Sequence, residues 1–186
     1  PKAIDELRSL GFDIFLDLKL HDIPNTVSKS LANICNLGVW MSNIHLLGGQ
    51  EMIQEASATV KKSNSDMILV GVTILTSLNE NNLVELGFNS SVEEIAIKLA
   101  KLGKQNGVDG VVCSIEDISG IKASLGGDFL SVTPGVRMSQ YNDDQKRSGS
   151  IYNAIQFGTD FVVVGREITQ AKNPEGVLKK IESLIV

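Results

Sequence analysis

From end to end, apolar runs of strand length alternate with amphipathic stretches of helix length. The spacing predicts strands over 13–20, 39–46, 67–75, 108–114, 129–133 and 161–164. Helices are predicted over 27–37, 49–62, 91–107, 118–125, 151–157 and 174–186, with an opening helix over 1–11. Local signals support these limits. Gly11, Gly38, Gly107, Gly126 and Gly158 are placed as helix stops, Ser91 and Glu94 form a capping box, and Pro174 suits a first helical turn. Asn25 or Thr26 is the expected cap of the second helix. The run 67–75 is almost wholly apolar, as a strand buried on both faces requires. Strict β/α alternation implies a parallel sheet, because parallel strands need a crossover connection.

Two architectures meet that requirement, a doubly wound sheet and a (β/α)8 barrel. A nucleotide-binding doubly wound sheet would carry G-x-G-x-x-G or G-x-x-x-x-G-K after its first strand, and neither motif is present. In a barrel, functional residues come from the C-terminal ends of several strands. The polar residues of this chain are distributed in that way, so an α/β (β/α)8 TIM barrel is the expected fold. Eight β/α units average about 31 residues each in a ~250-residue barrel, so six units and one helix come to roughly 200. The 186 residues are therefore read as one barrel domain (1–186), incomplete at the N-terminus, without its first two strands and first helix. As it stands, such a chain is expected to be inactive.

Composition narrows the class further. Hydrophobic residues are 42% and charged residues 21%, which excludes an intrinsically disordered chain. No apolar run approaches the ~20 residues of a membrane span, and no basic-then-apolar leader opens the sequence. A net charge of −5 argues against a nucleic-acid partner. Cys35 and Cys113 are far apart and form no metal-spacing motif, which fits a reducing cytoplasm.

The chemistry concentrates at strand ends. In the first predicted strand, alternation puts Ile14, Leu16, Leu18 and Leu20 on one face and Phe15, Asp17 and Lys19 on the other. Two opposite charges then share one side of a strand whose other face is apolar. Buried charges are costly unless paired, so Asp17 and Lys19 are expected to pair, with Asp22 nearby. Thr26 is open to two readings, a helix cap or a ligand contact. His45 ends the second strand, as a core residue or a site residue, and His21 lies within the charged cluster. Thr76 follows the third strand and Ser114 ends the fourth, where caps are common. Further on come Thr133-Pro134-Gly135-Val136-Arg137 and Val164-Gly165-Arg166. Glycine permits close backbone approach by a ligand, and arginine offers a fork suited to phosphate. The polar stretch 138–150 between them has the length of a lid, and Arg137, Gln145 and Arg166 are candidates to grip a phosphate dianion. No His/carboxylate metal triad and no nucleophilic triad stands out.

Asp17-x-Lys19-x-x-Asp22-Ile23-Pro24-Asn25-Thr26 resembles the signature of the orotidine 5′-phosphate decarboxylases. Asp109 to Ser114, Val132 to Arg137 and Val164 to Arg166 resemble that family's later motifs in the same order, and the bacterial members are the nearest in pattern. Related sugar-phosphate decarboxylases and hexulose phosphate synthases share D-x-K-x-x-D; the Ile-Pro-Asn-Thr continuation and the long loop with Gln145 favour the orotidylate enzymes. The resemblance implies a cofactor-free, metal-free decarboxylation of orotidine 5′-phosphate to uridine 5′-phosphate by a cytoplasmic homodimer with shared sites, and no membrane partner. It implies that Lys19 protonates C6, that Asp17 sits by the substrate carboxylate, and that Asp22 and Thr26 reach into the neighbouring subunit's site. It further implies that Thr76 lies near the ribose or the loop closure, that Ser114 contacts the pyrimidine, and that Arg137, Gln145, Gly165 and Arg166 bind phosphate and lid. The family's first network Lys and its ribose-binding Asp have no counterpart here, and Leu46-Leu47 stand where small residues are usual after the His. The alternatives are a metal-dependent sugar-phosphate decarboxylase or aldolase of the same superfamily, or an inactive phosphate-ligand-binding barrel.

Overall fold

The computed structural model describes residues 2–138 and 149–185. In chain order the elements are α1 (Lys2–Ser9), β1 (Phe15–Leu20), α2 (Pro24–Cys35), β2 (Met41–His45), α3 (Gly49–Lys62), β3 (Ile68–Val72), α4 (Glu80–Glu85) and α5 (Val92–Gln105). They continue with β4 (Gly110–Val112), α6 (Ile118–Leu125), β5 (Leu130–Pro134), β6 (Val136–Arg137), β7 (Gly149–Ser150), α7 (Ile151–Gln156), β8 (Phe161–Val163), α8 (Arg166–Thr169) and α9 (Pro174–Ile185). The chain divides into two compact units. One comprises Pro1–Thr73 and Leu99–Val111, the other Ile74–Lys98 and Val112–Val186.

In the first unit β1 pairs parallel with β2, and β2 with β3 in unbroken register from Met41↔Ile68 to His45↔Val72. The predicted crossovers are helices α2 and α3. Each turns one apolar stripe inward, with Val27, Leu31 and Ile34 buried on α2 and Met52, Ile53, Ala56 and Val60 on α3. Full burial of one such side chain stabilises the fold by roughly 1.5–3 kcal/mol. Gly71 is required by packing: the buried Leu46 side chain fills the space where a Cβ would stand.

In the second unit β5 pairs parallel with β8, from Val132↔Phe161 to Pro134↔Val163. Cys113 N–H donates to Val132 O at 3.1 Å, carrying the hydrogen bonding past the end of β4. Asp160, just before β8, is fastened to β5. Its carboxylate accepts from Ser131 N–H at 2.7 Å and from Lys122 Nζ on α6 at 2.6 Å. Burial alone would raise the Asp160 carboxyl, but the hydrogen bonds from Lys122 and Ser131, with the Lys122 charge, outweigh it and hold it below its ordinary value.

Several expectations are corrected. The alternation predicted for the first strand fails at its end. Pairing shifts between Leu16 and Leu20, and Lys19 takes φ 49°, so Leu18 is exposed (52%) rather than packed under a helix. A bulge of this kind breaks the two-residue period. Helix α2 begins at Pro24, not 27, because proline needs no N–H partner in a first turn. Ile23 is then the cap residue and contributes no side-chain bond, so neither Asn25 nor Thr26 caps. The capping box at Ser91 forms as expected, with Glu94 N–H to Ser91 Oγ at 3.2 Å and Ser91 N–H to Glu94 Oε2 at 3.1 Å. The short helices α4 and α8 and the two-residue pair β6·β7 carry too little periodicity to have been anticipated.

Candidate active site

The first unit gathers one cluster at the end of β1. Lys19 Nζ lies 2.6 Å from both Asp17 carboxylate oxygens. The two side chains are 41% and 43% exposed, so the pair is open to solvent rather than buried as the strand pattern implied. Water screens its attraction, and such pairs contribute about 0–1 kcal/mol to stability. Their arrangement is therefore a matter of chemistry more than of folding. Asp22, beyond the strand, is exposed and accepts from Ile23 N–H through Oδ1 at 2.7 Å. Thr26 is exposed on the first turn of α2, its hydroxyl not used as a cap. The His21 and His45 rings stack with centroids 5.1 Å apart. Burial, then His21, then the Lys19 charge lower the proton affinity of His45 below its ordinary value. His45 Nδ1 is buried with no hydrogen-bond partner among the described residues.

Asn43, which sequence reading passed over, is fully buried on β2 and links this cluster. Its Oδ1 accepts from Lys19 N–H at 2.7 Å and its Nδ2 donates to Asp17 Oδ1 at 2.6 Å. The available signal was a carboxamide inside a short buried strand, a residue type that is rarely buried without partners.

The second unit gathers another cluster. A cavity of about 140 Å³ is lined by Gly135, Arg137, Gly165, Arg166 and Glu167, among others. Gly135 follows Pro134 with φ 75°, a turn glycine conformation that aims Val136-Arg137 away from the strand. A Cβ on Gly165 would meet nothing, so its backbone faces open space. Glu167, also unanticipated, uses Oε2 to accept Met138 N–H at 3.0 Å. Two arginines and an open glycine backbone around a small cavity suit a phosphate group. Thr76 lies half-buried in the turn after β3. Ser114 is fully buried and its Oγ donates to Asp117 Oδ2 at 2.7 Å, closing the turn before α6. Gln145 lies outside the described residues. Among the described residues no group of three or more His, Cys, Asp or Glu side chains is placed to hold a metal ion, and no helix is long and apolar enough to cross a membrane.

These features define an α/β protein with a lysine–carboxylate pair at one strand end and an arginine-lined cavity at others. The model of the orotidine 5′-phosphate decarboxylase / HUMPS family matches residues 1–181, and the chain belongs to that family. It is 46% identical to the orotidine 5′-phosphate decarboxylase of Pseudoalteromonas translucida over 187 residues, covering all of this chain and 80% of that protein. The enzyme of Hydrogenovibrio crunogenus is 42% identical, with 100% and 79% covered. The crystal structure of orotidine 5′-phosphate decarboxylase from Lactobacillus acidophilus superposes with a TM-score of 0.85 at 35% identity, covering 98% of this chain and 79% of that one. The fold is thus of the (β/α)8-barrel class, as expected.

Proposed function

We propose that this protein decarboxylates orotidine 5′-phosphate to uridine 5′-phosphate, the last chemical step in making that nucleotide. The observation that carries the reading is the ammonium of Lys19 held 2.6 Å from both oxygens of Asp17 at a strand end. The bond from C6 of the pyrimidine to its carboxylate breaks, carbon dioxide leaves, and the electron pair stays on C6 in the ring plane. Once bound substrate displaces the water from this open pair, the ammonium stabilises that charge and then delivers its proton to C6. Solvent returns a proton to the Lys19 amine. Asp17 is assigned a place beside the substrate carboxylate, where it orients Lys19. Arg137, Gly165 and Arg166 are assigned the phosphate, with Gln145 on the lid, Thr76 by the ribose and Ser114 by the pyrimidine. Gripping the remote phosphate supplies binding energy that is spent at the reacting carbon.

The protein is further read as a cytoplasmic homodimer in which Asp22 and Thr26 serve the neighbouring site. The exposed Leu18 (52%) and Ile23 (65%), beside those two residues, support a partner surface there. The test is loss of orotidine 5′-phosphate absorbance on incubation with the full-length protein and with its Lys19→Ala variant. Turnover reduced by at least ~10⁴-fold in the variant is expected, combining a lost charge stabiliser and a lost proton donor. Equal turnover in both would refute the role of Lys19. Activity on a sugar phosphate that disappears with chelator would favour the metal-dependent branch of the family instead.

A further inference from the structure

We infer that Asn43 is a positioning residue that builds the Asp17–Lys19 pair by holding β1 in its bulged form; the inference rests on the functional reading above. Between the paired positions Leu16↔Ser42 and Leu20↔Ile44, β1 has three residues where β2 has one, Asn43 itself. The surplus removes an ordinary ladder partner from Lys19 N–H, and the side-chain Oδ1 of Asn43 accepts from it instead at 2.7 Å. Lys19 adopts φ 49°, a left-handed conformation that is unfavourable for a non-glycine residue and persists only when its surroundings enforce it.

The other end of the same carboxamide donates to Asp17 Oδ1 at 2.6 Å, the oxygen that also receives Lys19 Nζ. One planar group therefore fixes the backbone of the ammonium residue and the carboxylate that orients that ammonium. Its orientation is forced, because the oxygen must face an N–H and the NH₂ must face a carboxylate. Full burial of Asn43 makes the arrangement rigid, since swinging away would leave both ends without partners in a dry strand interior. Among the described residues, the titratable groups also tied to this pair are His45, two residues on along β2 and acted on by the Lys19 charge, and His21, which follows β1 and stacks on His45.

Asparagine is also the discriminating choice. A leucine of similar volume would satisfy neither partner. An aspartate would keep the acceptor for Lys19 N–H but set a second carboxylate against Asp17, and two carboxylates that close share a proton.

The experiment compares Asn43→Ala and Asn43→Asp with the parent in steady-state decarboxylation across pH, uridine 5′-phosphate binding by calorimetry, and amide hydrogen exchange. A kcat reduced 10²-fold or more, with KM for orotidine 5′-phosphate and product affinity within about threefold, is the expected result for Asn43→Ala. For Asn43→Asp, kcat rises with pH across a range where the parent's is flat, as the shared proton is lost. Lys19 N–H exchanges at least tenfold faster in Asn43→Ala, while amides of β2 and β3 stay protected. Equal kcat, an unshifted pH profile and unchanged Lys19 exchange would overturn the inference. So would global unfolding of both variants, which would assign Asn43 to the fold alone. Should the parent fail to turn over orotidine 5′-phosphate, the functional reading fails, and the Lys19 exchange result alone decides whether Asn43 holds the bulge.

Discussion

Removing Lys122 should weaken the β5·β8 strand pair, whose ends lead into the two arginines. Lys122 Nζ donates to three acceptors: Gly127 O and Phe129 O at 2.9 Å each, and Asp160 Oδ2 at 2.6 Å. Its side chain is 14% exposed and that of Asp160 29%, so water replaces these bonds poorly. Lys122→Met keeps the stem and removes the ammonium. Three acceptors lose a charged donor, at about 1–3 kcal/mol each when water is excluded. Taking the low end for partial exposure gives about 3 kcal/mol, or a Tm lowered by about 6–12 °C at ~2–4 °C per kcal/mol. The assay is thermal unfolding followed by circular dichroism, run as a cycle with Asp160→Asn and the double variant. Coupling of about 1–2 kcal/mol is expected between two residues in contact. The Asp160 contribution has a defined pH window. Its folded pKa lies below the ordinary 3.8, so the stabilisation is present above about pH 4 and disappears as pH falls through the folded value. Coupling under ~0.5 kcal/mol at pH 7, or a Tm within 2 °C of the parent, would refute the reasoning.

Arg166→Ala should raise KM for orotidine 5′-phosphate by about 10- to 100-fold, the equivalent of one charge-assisted contact, and initial-rate kinetics decide it. An equal loss with a substrate lacking the phosphate would remove Arg166 from that role. His45 is neutral in the fold at pH values where the unfolded chain is protonated, because its folded pKa is lowered. Its contribution is therefore complete above about 6.5 and declines as pH falls from there through the folded value. Urea midpoints measured between pH 7.5 and pH 5 should fall more steeply for the parent than for His45→Gln, and parallel slopes would contradict this.

The β/α order was legible because each element is long enough to show its period. The 14-residue helix α3 fills the predicted limits, and its buried Met52, Ile53, Ala56 and Val60 recur at helical spacing. Predicted strands ran longer than observed, since apolar residues continue past the last ladder bond into turns. The region 67–75 is a five-residue strand, Ile68–Val72. The charged pair was legible as a pair, since two opposite charges two residues apart on a strand have few other options. What enforces it was not legible. The bulge depends on a carboxamide from a different strand, 24 residues along the chain from Lys19, and no local pattern in β1 announces it. Thr26 and Asn25 were misplaced as caps because Pro24 starts the helix earlier and takes the first helical position. Glu167 is absent from any strand-end pattern because its role is to receive one backbone N–H, that of Met138.

The left-handed backbone at Lys19 sets thermal robustness and catalysis against each other at a single residue. Glycine adopts φ near 49° without the penalty a lysine carries there. Among the replacements open to position 19, glycine is thus the one that relieves the main chain while deleting the proposed proton donor. A directed-evolution campaign scored on melting temperature alone would be drawn toward that dead end. Any effort to harden this scaffold has to hold position 19 fixed and look for its gains elsewhere.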